Sequence, residues 1–226
     1  MVVVDAISLN LRNLTDGSFM TKRLFDLAVG ALALLVLSPI LLSIAVLIKL
    51  SDRGPVLYRG RRIGFHGRPF FIYKFRTMVV NAEHMGFGPS TARNDTRITR
   101  VGRVLRQYKL DELPQLMNIV KGDMSVVGPR PQVERFTQLY GEEEQVIFSV
   151  RPGLTDYASI KFINLGDLLG DENIEEKYLR EIEPEKNRLR IKYAREHSFL
   201  IDLKIIWQTI VQLFRVKLAW NIKSSA

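Results

Sequence analysis

The sequence contains no cysteine, which excludes disulfides and thiolate metal sites and is compatible with a reducing cytoplasm. Histidine is scarce as well, and none of the three histidines stands at a spacing typical of metal ligands. A glycine-rich phosphate loop and internal repeats are also missing. Any catalytic chemistry must therefore rest on residues other than Cys, a His cluster or a glycine-rich nucleotide loop.

The chain has 226 residues, 46% of them hydrophobic, which is enough for one packed domain with appendages. Lys and Arg number 33 against 24 Asp and Glu, so the formal net charge is +9. This excess indicates an anionic partner such as nucleic acid, a phosphorylated substrate or an anionic membrane surface. Bases dominate between Lys49 and Arg106 and alternate with aromatic residues there. The segment from Lys49 to Arg106 is predicted to form an anion-binding or membrane-facing surface.

A stretch of 22 residues without a charge, LAVGALALLVLSPILLSIAVLI, lies between Asp26 and Lys49. As one helix it would reach about 33 Å, enough to cross the core of a bilayer. Pro39 at its centre lacks a backbone donor, which predicts a kink or break and leaves a carbonyl for Ser38 or a neighbour to satisfy. Bases flank both ends and so favour the cytoplasm for both. The pattern favours a re-entrant helix–break–helix hairpin, while a spanning helix and a buried helix of a soluble domain stay open.

Two strand-like runs follow, at residues 56–58 and 69–75, and a loop with Gly64 and Gly67 joins them. Short strands joined by a glycine-containing loop predict a β-hairpin. Residues 81–99 are rich in Gly, Pro, Asn and Thr and are predicted to form a loop.

Two adjacent acids stand at the start of a predicted helix. Apolar residues at three- and four-residue spacing predict an amphipathic helix over 99–108 and a second helix that ends at Gly122. Because proline is tolerated in a first helical turn, Pro114 predicts that the second helix begins around 110–112. Asp111 would then lie at or near the N-cap, with Glu112 beside it, where the helix favours anions. A structural capping pair and a functional pair both remain possible at this point.

Arg130 lies between two prolines in the tetrapeptide Gly128-Pro129-Arg130-Pro131. The proline rings restrict the backbone, so the guanidinium would be displayed rigidly, as bidentate binding of phosphate requires. An ordinary loop fits this tetrapeptide equally well.

The C-terminal part is predicted to be helical. Residues 175–195 read as a charged helix that is interrupted near Pro184, and residues 199–214 are amphipathic. The amphipathic helix could lie in a membrane interface or pack on the core.

These segments together resemble a known family. In chain order they are KRLFDLAVGALALLVLSPILL, GPVLYRGRRIG, residues 71–78, LDELPQLMNIVKGDMSVVGPRP and RPGLTDYASI. They resemble the bacterial sugar transferases known as monotopic phosphoglycosyl transferases, from about Lys22 to the C-terminal helix, and the block 111–131 is the most specific part. The length indicates the minimal catalytic unit.

The resemblance implies an α+β membrane protein. Residues 1–20 would be an N-terminal extension and 21–50 a re-entrant hairpin broken at Ser38-Pro39. Residues 51–226 would form a small cytoplasmic α/β catalytic domain with a β-hairpin and interfacial amphipathic helices. The expected location is the bacterial inner membrane, with the catalytic domain facing the cytoplasm. A homodimer is compatible with this class.

The resemblance also implies an activity, the transfer of a phospho-sugar from a UDP-sugar to polyprenyl (undecaprenyl) phosphate with Mg²⁺, which initiates surface glycan assembly. Asp111 would attack the sugar-bearing phosphate, release UMP and form a phosphoryl-aspartate. Glu112 would orient the metal or accept a proton, and both acids are the predicted metal ligands. The predicted phosphate-binding residues are Arg106, Arg130, Lys74, Arg76 and Arg151.

The sequence departs from many relatives at Gly60, at Lys109 and at Asp156-Tyr157, where Gln, Ser and Gly-Trp are common. The last difference leaves the sugar open. Two other functions compete with the transferase: a membrane-anchored, non-enzymatic binder of anionic glycolipid, and a nucleic-acid binder motivated by the basic charge. The long apolar segment argues against the nucleic-acid binder.

Overall fold

A computed structural model describes residues 17–82, 85, 95–163, 165 and 174–224 of the protein. This part of the chain is a mixture of helices and short strands, as predicted, and a long apolar helix opens it. The elements in order are α1 (Gly17–Asp52), β1 (Leu57–Ile63), β2 (Pro69–Phe75), α2 (Arg100–Gln107), α3 (Gln115–Lys121), β3 (Ser125–Val127), α4 (Glu134–Thr137), β4 (Gly153–Thr155), α5 (Tyr157–Lys161), α6 (Ile174–Lys177), α7 (Glu183–Glu196) and α8 (Phe199–Ser224).

Helix α1 is long and apolar enough to cross a membrane, the one such helix in the described part of the chain, and this makes it compatible with a membrane anchor. It extends beyond the predicted 21–50 at both ends and runs through Pro39 without an interruption, so the predicted break is not seen as a gap in the helix. The Ser38 hydroxyl donates to the Leu35 carbonyl at 2.7 Å. Because Pro39 has no N–H, that carbonyl lacks its usual helical donor. The predicted compensation by Ser38 is confirmed.

One stripe of α1 packs on the rest of the protein from Gly30 to Ile48. From one end to the other, the packed residues are Gly30, Ala33, Leu34, Leu37, Leu41, Ile44, Ala45 and Ile48. Their spacing of three and four residues marks a single helix face. The opposite face is exposed and apolar, with Leu32, Leu35, Val36, Leu42, Leu47 and Leu50 on it.

Ionic and hydrogen-bond contacts fix both ends of α1 to the domain. Near the start, the Lys22 ammonium binds the Asp202 carboxylate and the Val127 carbonyl, and the buried Asp26 accepts from the Val126 N–H at 2.9 Å. At the other end, Asp52 pairs with Arg76 of the loop after β2. The domain therefore contacts the helix on both sides of Pro39.

The predicted β-hairpin is present. Strands β1 and β2 pair antiparallel from Leu57 opposite Phe75 to Ile63 opposite Pro69, so β1 continues well beyond the predicted 56–58. A turn at Phe65–Gly67 joins them, and Gly67 there has a φ of +70°, which glycine adopts without strain.

Helix α2 confirms the predicted amphipathic helix, with Thr99 as the N-cap whose hydroxyl accepts from the Gly102 N–H. The predicted start of the second helix at 110–112 is wrong, because α3 begins at Gln115 and a 3₁₀ turn occupies Leu110–Glu112. Pro114 has no N–H to offer the Leu110 carbonyl four residues back, and the Leu113 N–H binds that carbonyl instead at 3.2 Å. Asp111 therefore lies in the turn before α3 and is not its N-cap.

The predicted loop over 81–99 falls largely on residues outside the described ones. In the described part, Met78 and Ile98 form an isolated antiparallel bridge.

A short parallel pair lies next to α1. Ser125 of β3 pairs with Gly153 of β4, and Val127 pairs with Thr155. Among the described residues, the core forms three clusters, centred on Val127 and Tyr193, on Ile48 and Phe75, and on Ile119 and Met124. Burial of these side chains holds the parallel pair, the hairpin and α3 against α1.

The C-terminal half confirms the predicted interruption before Pro184. A π-helical turn at Tyr178–Ile182 separates α6 from α7. In α8, Asp202 and Ile205 are buried against the domain, whereas Leu200, Leu203, Trp207, Ile210 and Phe214 are exposed. One edge of α8 therefore packs on the core and its larger apolar face points outward.

Candidate functional site

The two acids lie in the 3₁₀ turn that links α2 to α3. Lys109 enters this turn with a φ of +56°, a left-handed conformation that reverses the chain after α2. The turn places Asp111 in the interior, where the residue is only 9% exposed, and directs Glu112 toward β2.

Two cations hold Glu112. Its Oε1 atom accepts from Lys74 Nζ of β2 at 2.8 Å and from the guanidinium of Arg130. Burial would raise the pKa of Glu112, but the charges and hydrogen bonds of Arg130 and Lys74 outweigh it and hold that pKa far below its usual range. Glu112 is therefore a fixed negative charge.

Asp111 is in the opposite situation. Within the described part of the chain, its carboxylate has no hydrogen-bond or ion-pair partner. Burial and the neighbouring charge of Glu112 raise its pKa, and the charges of Lys74, Arg106 and Lys109 partly offset this. A buried carboxylate that is left unpaired beside several cations has the character of a nucleophile.

Arg106 of α2 lies near this carboxylate. Its Nε donates to the Thr77 hydroxyl at 2.8 Å, which orients the guanidinium. Burial lowers the pKa of Arg106, and the charge of Asp111 is the largest influence in the other direction. The structure thus brings together five of the predicted site residues: Asp111, Glu112, Lys74, Arg106 and Arg130.

Arg130 owes its place to the parallel pair. The Gly153 N–H donates to the Pro129 carbonyl at 3.1 Å, and the Arg130 N–H donates to the buried carboxylate of Asp156 at 3.2 Å. The other oxygen of Asp156 caps α5 by accepting from the Ser159 N–H at 2.6 Å. The loop is consequently anchored at Pro129 and at the backbone of Arg130 itself.

Two of the predicted phosphate-binding residues lie elsewhere. Arg76 pairs with Asp52 at the end of α1. Arg151 donates to the Gly122 carbonyl at 3.1 Å and lies over the rings of Phe19 and Phe65. Their contacts tie α1 and the turn after α3 to the domain, and they are not brought to the two acids.

Other residues that support the site were not predicted. Asn118 of α3 is fully buried and clamps β2: its Nδ2 donates to the Phe71 carbonyl at 2.7 Å, and its Oδ1 accepts from the Tyr73 N–H at 3.0 Å. This clamp keeps Lys74 opposite Glu112. Asparagine is a poor residue for a helix interior, and that is the signal in the sequence that could have found it. Burial lowers the pKa of Arg62 of β1; among the site residues, the charge of Arg130 lowers it further and that of Glu112 raises it.

Asp111 and Glu112 are the candidate ligands for a magnesium ion. No cluster of three or more acidic or histidine ligands occurs in the described ranges. Among the described residues, however, Asp111 has no partner, and both cations on Glu112 bind its Oε1, so that Oε2 remains for another ligand. Mg²⁺ is commonly held by one or two carboxylates together with substrate phosphates. The two acids fit a metal of that kind, which the substrate would complete.

The profile of the family described as bacterial sugar transferase matches residues 17–216. The chain is 39% identical to the undecaprenyl-phosphate glucose phosphotransferase of Komagataeibacter xylinus, over 89% of this chain and 37% of that protein. It is 37% identical to the UDP-glucose:undecaprenyl-phosphate glucose-1-phosphate transferase of Escherichia coli, over 88% of this chain and 41% of the relative. It thus spans about two fifths of the length of these two relatives.

A relative of similar length is the exopolysaccharide production protein ExoY of Rhizobium meliloti, which is 38% identical over 84% of each chain. The profile match covers the long helix, the hairpin, both acids and the arginine loop. The chain therefore belongs to the bacterial sugar transferase family.

Proposed function

We propose that the protein transfers a phospho-sugar from a UDP-sugar to undecaprenyl phosphate, with Asp111 as the covalent nucleophile. The observation that carries the proposal is the unpaired, buried carboxylate of Asp111 beside a Glu112 that Lys74 and Arg130 neutralise. The names of the relatives support the class of donor and acceptor. Since they name glucose, UDP-glucose is the first donor to test.

The reaction proceeds in two displacements. A carboxylate oxygen of Asp111 attacks the sugar-bearing phosphorus, and the bond from that phosphorus to the bridging oxygen breaks, so that UMP departs with the electron pair. A phosphate oxygen of undecaprenyl phosphate then attacks the phosphoryl-aspartate. The bond to Asp111 breaks, the carboxylate is restored and undecaprenyl-diphosphate sugar is formed.

Each charged residue of the site has its own electrostatic role. Arg106 and Arg130 offset the repulsion between the Asp111 carboxylate and a diphosphate, and Lys74 adds a third cation. Glu112 is a weak base because its pKa is held so low, so we assign it to the positioning of Lys74 and Arg130 rather than to proton transfer. Mg²⁺, held by Asp111 and Glu112, would supply further neutralisation of the phosphate charge.

Removal of Arg130 should impair the first displacement. Arg130→Met is expected to lower UMP release by about 10²-fold, because one of the cations facing the phosphate is lost. Arg135→Met, an exposed arginine on the neighbouring helix, is the matched control and should remain near wild type. Initial rates at varied UDP-sugar concentration measure both variants, and equal rates for the two would contradict the role of Arg130.

We further propose that α1 is a re-entrant anchor in the cytoplasmic leaflet of the bacterial inner membrane, with the domain in the cytoplasm. Support comes from the contacts of the domain with α1 on both sides of Pro39, from Lys22 to Asp52. The exposed apolar faces of α1 and α8 supply a surface for lipid.

Cysteine labelling tests this topology. Because the sequence contains no native cysteine, only the introduced cysteine can react. Single cysteines at Thr21 and Ser51, both exposed positions, should react with a membrane-impermeant maleimide from the same side of inverted inner-membrane vesicles. The expected result is strong labelling of both in inverted vesicles and little in right-side-out vesicles. Labelling from opposite sides would show that α1 spans the membrane.

The function itself is tested with a panel of UDP-sugars, undecaprenyl phosphate and Mg²⁺, in which release of UMP is measured. A non-enzymatic binder of anionic glycolipid would retain the acceptor and release no UMP from any donor. A homodimer stays a prediction for light scattering of the solubilised protein.

A further inference from the structure

Lys186 of α7 is a buried cation that the proposed mechanism does not use. The residue is 8% exposed, and its ammonium lies 4.8 Å from the ring centre of Tyr178 and 5.6 Å from that of Phe162. The faces of aromatic rings attract cations, but they compensate only part of the cost of burying one.

The Lys186 ammonium has no hydrogen-bond or ion-pair partner in the described part of the chain. The nearby carboxylates are occupied elsewhere. Glu183 accepts from Arg190 at 2.8 Å, from Tyr178 at 2.6 Å and from Gln132 at 3.0 Å. Asp156 receives the backbone N–H groups of Ser159 and Arg130. Within the described residues, the fold therefore keeps a buried cation without an anionic partner.

Contacts place Lys186 on the Arg130 side of the candidate site: its ammonium faces the ring of Tyr178, and the hydroxyl of that tyrosine accepts at 3.0 Å from Gln132, two residues after Arg130. Burial lowers its pKa to about 8; the charges of Arg190 and Arg130 also lower it, and those of Glu183 and Asp156 raise it. The charge of Arg130, the arginine that binds Glu112, thus repels the Lys186 ammonium. An anion placed between Lys186 and Arg130 would relieve both the burial cost and the mutual repulsion.

We propose that Lys186 and Arg130 form an anion subsite for a substrate phosphate, next to the phosphate that reacts with Asp111. This deepens, and rests on, the proposed transferase function. Two substrates carry such a phosphate: the nucleoside diphosphate donor, through the phosphate that leaves with UMP, and the polyprenyl phosphate acceptor. In either case Lys186 contacts a substrate phosphate, although it lies far from Asp111 and Glu112 in the sequence.

Binding measurements separate these sources. The dissociation constant of UDP, measured by titration calorimetry on the solubilised full chain, is compared among wild type, Lys186→Met and Lys186→Arg. The KM of undecaprenyl phosphate is measured for the same proteins. A donor subsite predicts UDP binding that is about tenfold weaker in Lys186→Met, the loss of one charge-assisted contact, and largely restored in Lys186→Arg. An acceptor subsite predicts the corresponding rise in the KM of undecaprenyl phosphate with UDP binding unchanged.

Lys161→Met is the matched control. Lys161 lies 5.7 Å from the centre of the same Phe162 ring, but it is half exposed and pairs with Glu185 at 2.6 Å. This variant should bind both substrates as wild type does. Thermal unfolding of Lys186→Met reports whether the fold is kept, and recovery of affinity in Lys186→Arg identifies the charge as the cause.

The pH dependence gives an independent readout. Above the pKa of Lys186, wild type should lose affinity for the phosphate several-fold relative to Lys186→Arg, whose guanidinium stays charged. Any titration of Lys74 is common to both proteins and cancels in the ratio.

If UDP and undecaprenyl phosphate bind Lys186→Met as tightly as wild type, or if wild type binds neither, the subsite does not exist. If wild type binds UDP through Lys186 but turns over no UDP-sugar, the subsite stands and the transferase proposal fails.

Discussion

Asp111→Asn is expected to abolish UMP release, with a loss of about 10⁴-fold or more. The amide has nearly the same size as the carboxylate but cannot attack phosphorus, so covalent catalysis ends while the shape of the site is kept. Binding of the UDP-sugar should survive, because Lys74, Arg106 and Arg130 are all retained.

The same substitution should not destabilise the protein. Burial and Glu112 raise the pKa of Asp111, so at neutral pH the ionised carboxylate disfavours the folded state. Asparagine removes that charge and breaks no hydrogen bond within the described part of the chain. The midpoint of thermal unfolding is therefore expected to stay the same or rise, which separates loss of chemistry from loss of fold.

Two measurements decide the prediction: UMP release under single-turnover conditions and the trapping of a covalent sugar-phosphate adduct on the protein. The control is Glu134→Gln, an exposed carboxylate whose ion pair with Arg61 is 3.6 Å long, and it should keep wild-type rates. Full turnover by Asp111→Asn would rule out Asp111 as the nucleophile.

Local features of the fold could be predicted from the sequence. The 3.6-residue periodicity located α2, and the glycine turn with its flanking strands located the hairpin. The role of the Ser38 hydroxyl was also predictable, because proline chemistry identifies the carbonyl that loses its donor. These features depend on residues close together in the chain.

Long-range pairing could not be predicted. Lys74 and Arg130 stand 38 and 18 residues from Glu112, and only the packing of the hairpin and of the parallel pair brings them to one oxygen. Arg76 shows the converse. Its charge and its position near Lys74 suited phosphate equally well, but it pairs with Asp52 at the end of α1. The sign of a charge does not reveal which way the side chain points.

From Pro114, the start of the second helix could be predicted to within a few residues, but the conformation of the turn before it could not. Pro114 does mark the beginning of α3, but its missing N–H also changes the turn before it to i→i+3 hydrogen bonds. Asp111 consequently does not cap α3. The attraction for anions at this site therefore rests on Lys74, Arg106 and Arg130 rather than on a helix end.

Of these cations, Arg130 depends in turn on a backbone contact between Gly128 and Gly153. A Cβ atom on Gly153 would lie 2.0 Å from the Gly128 nitrogen and 2.5 Å from its carbonyl oxygen, and neither backbone atom can rotate away. Gly153→Ala must therefore push β3 and β4 apart. The hydrogen bonds from Gly153 to Pro129 and from Gly128 to Thr155 lie at this contact and would be lengthened or lost.

Gly153→Ala is accordingly expected to lower the free energy of unfolding by about 3 kcal/mol, the cost of overpacking together with lost hydrogen bonds. In a chain of this size that corresponds to a fall of about 10 °C in the unfolding midpoint, measured by scanning fluorimetry. Gly141→Ala is the control, since its added methyl meets only the flexible Glu144 carboxylate at 3.2 Å and should change stability little.

Because Arg130 follows Gly128 by two residues, UMP release should fall together with stability in Gly153→Ala, whereas Asp111→Asn loses only the chemistry. Wild-type stability and activity in Gly153→Ala would mean that β3 and β4 are not in such close contact and that the arginine loop is positioned in another way.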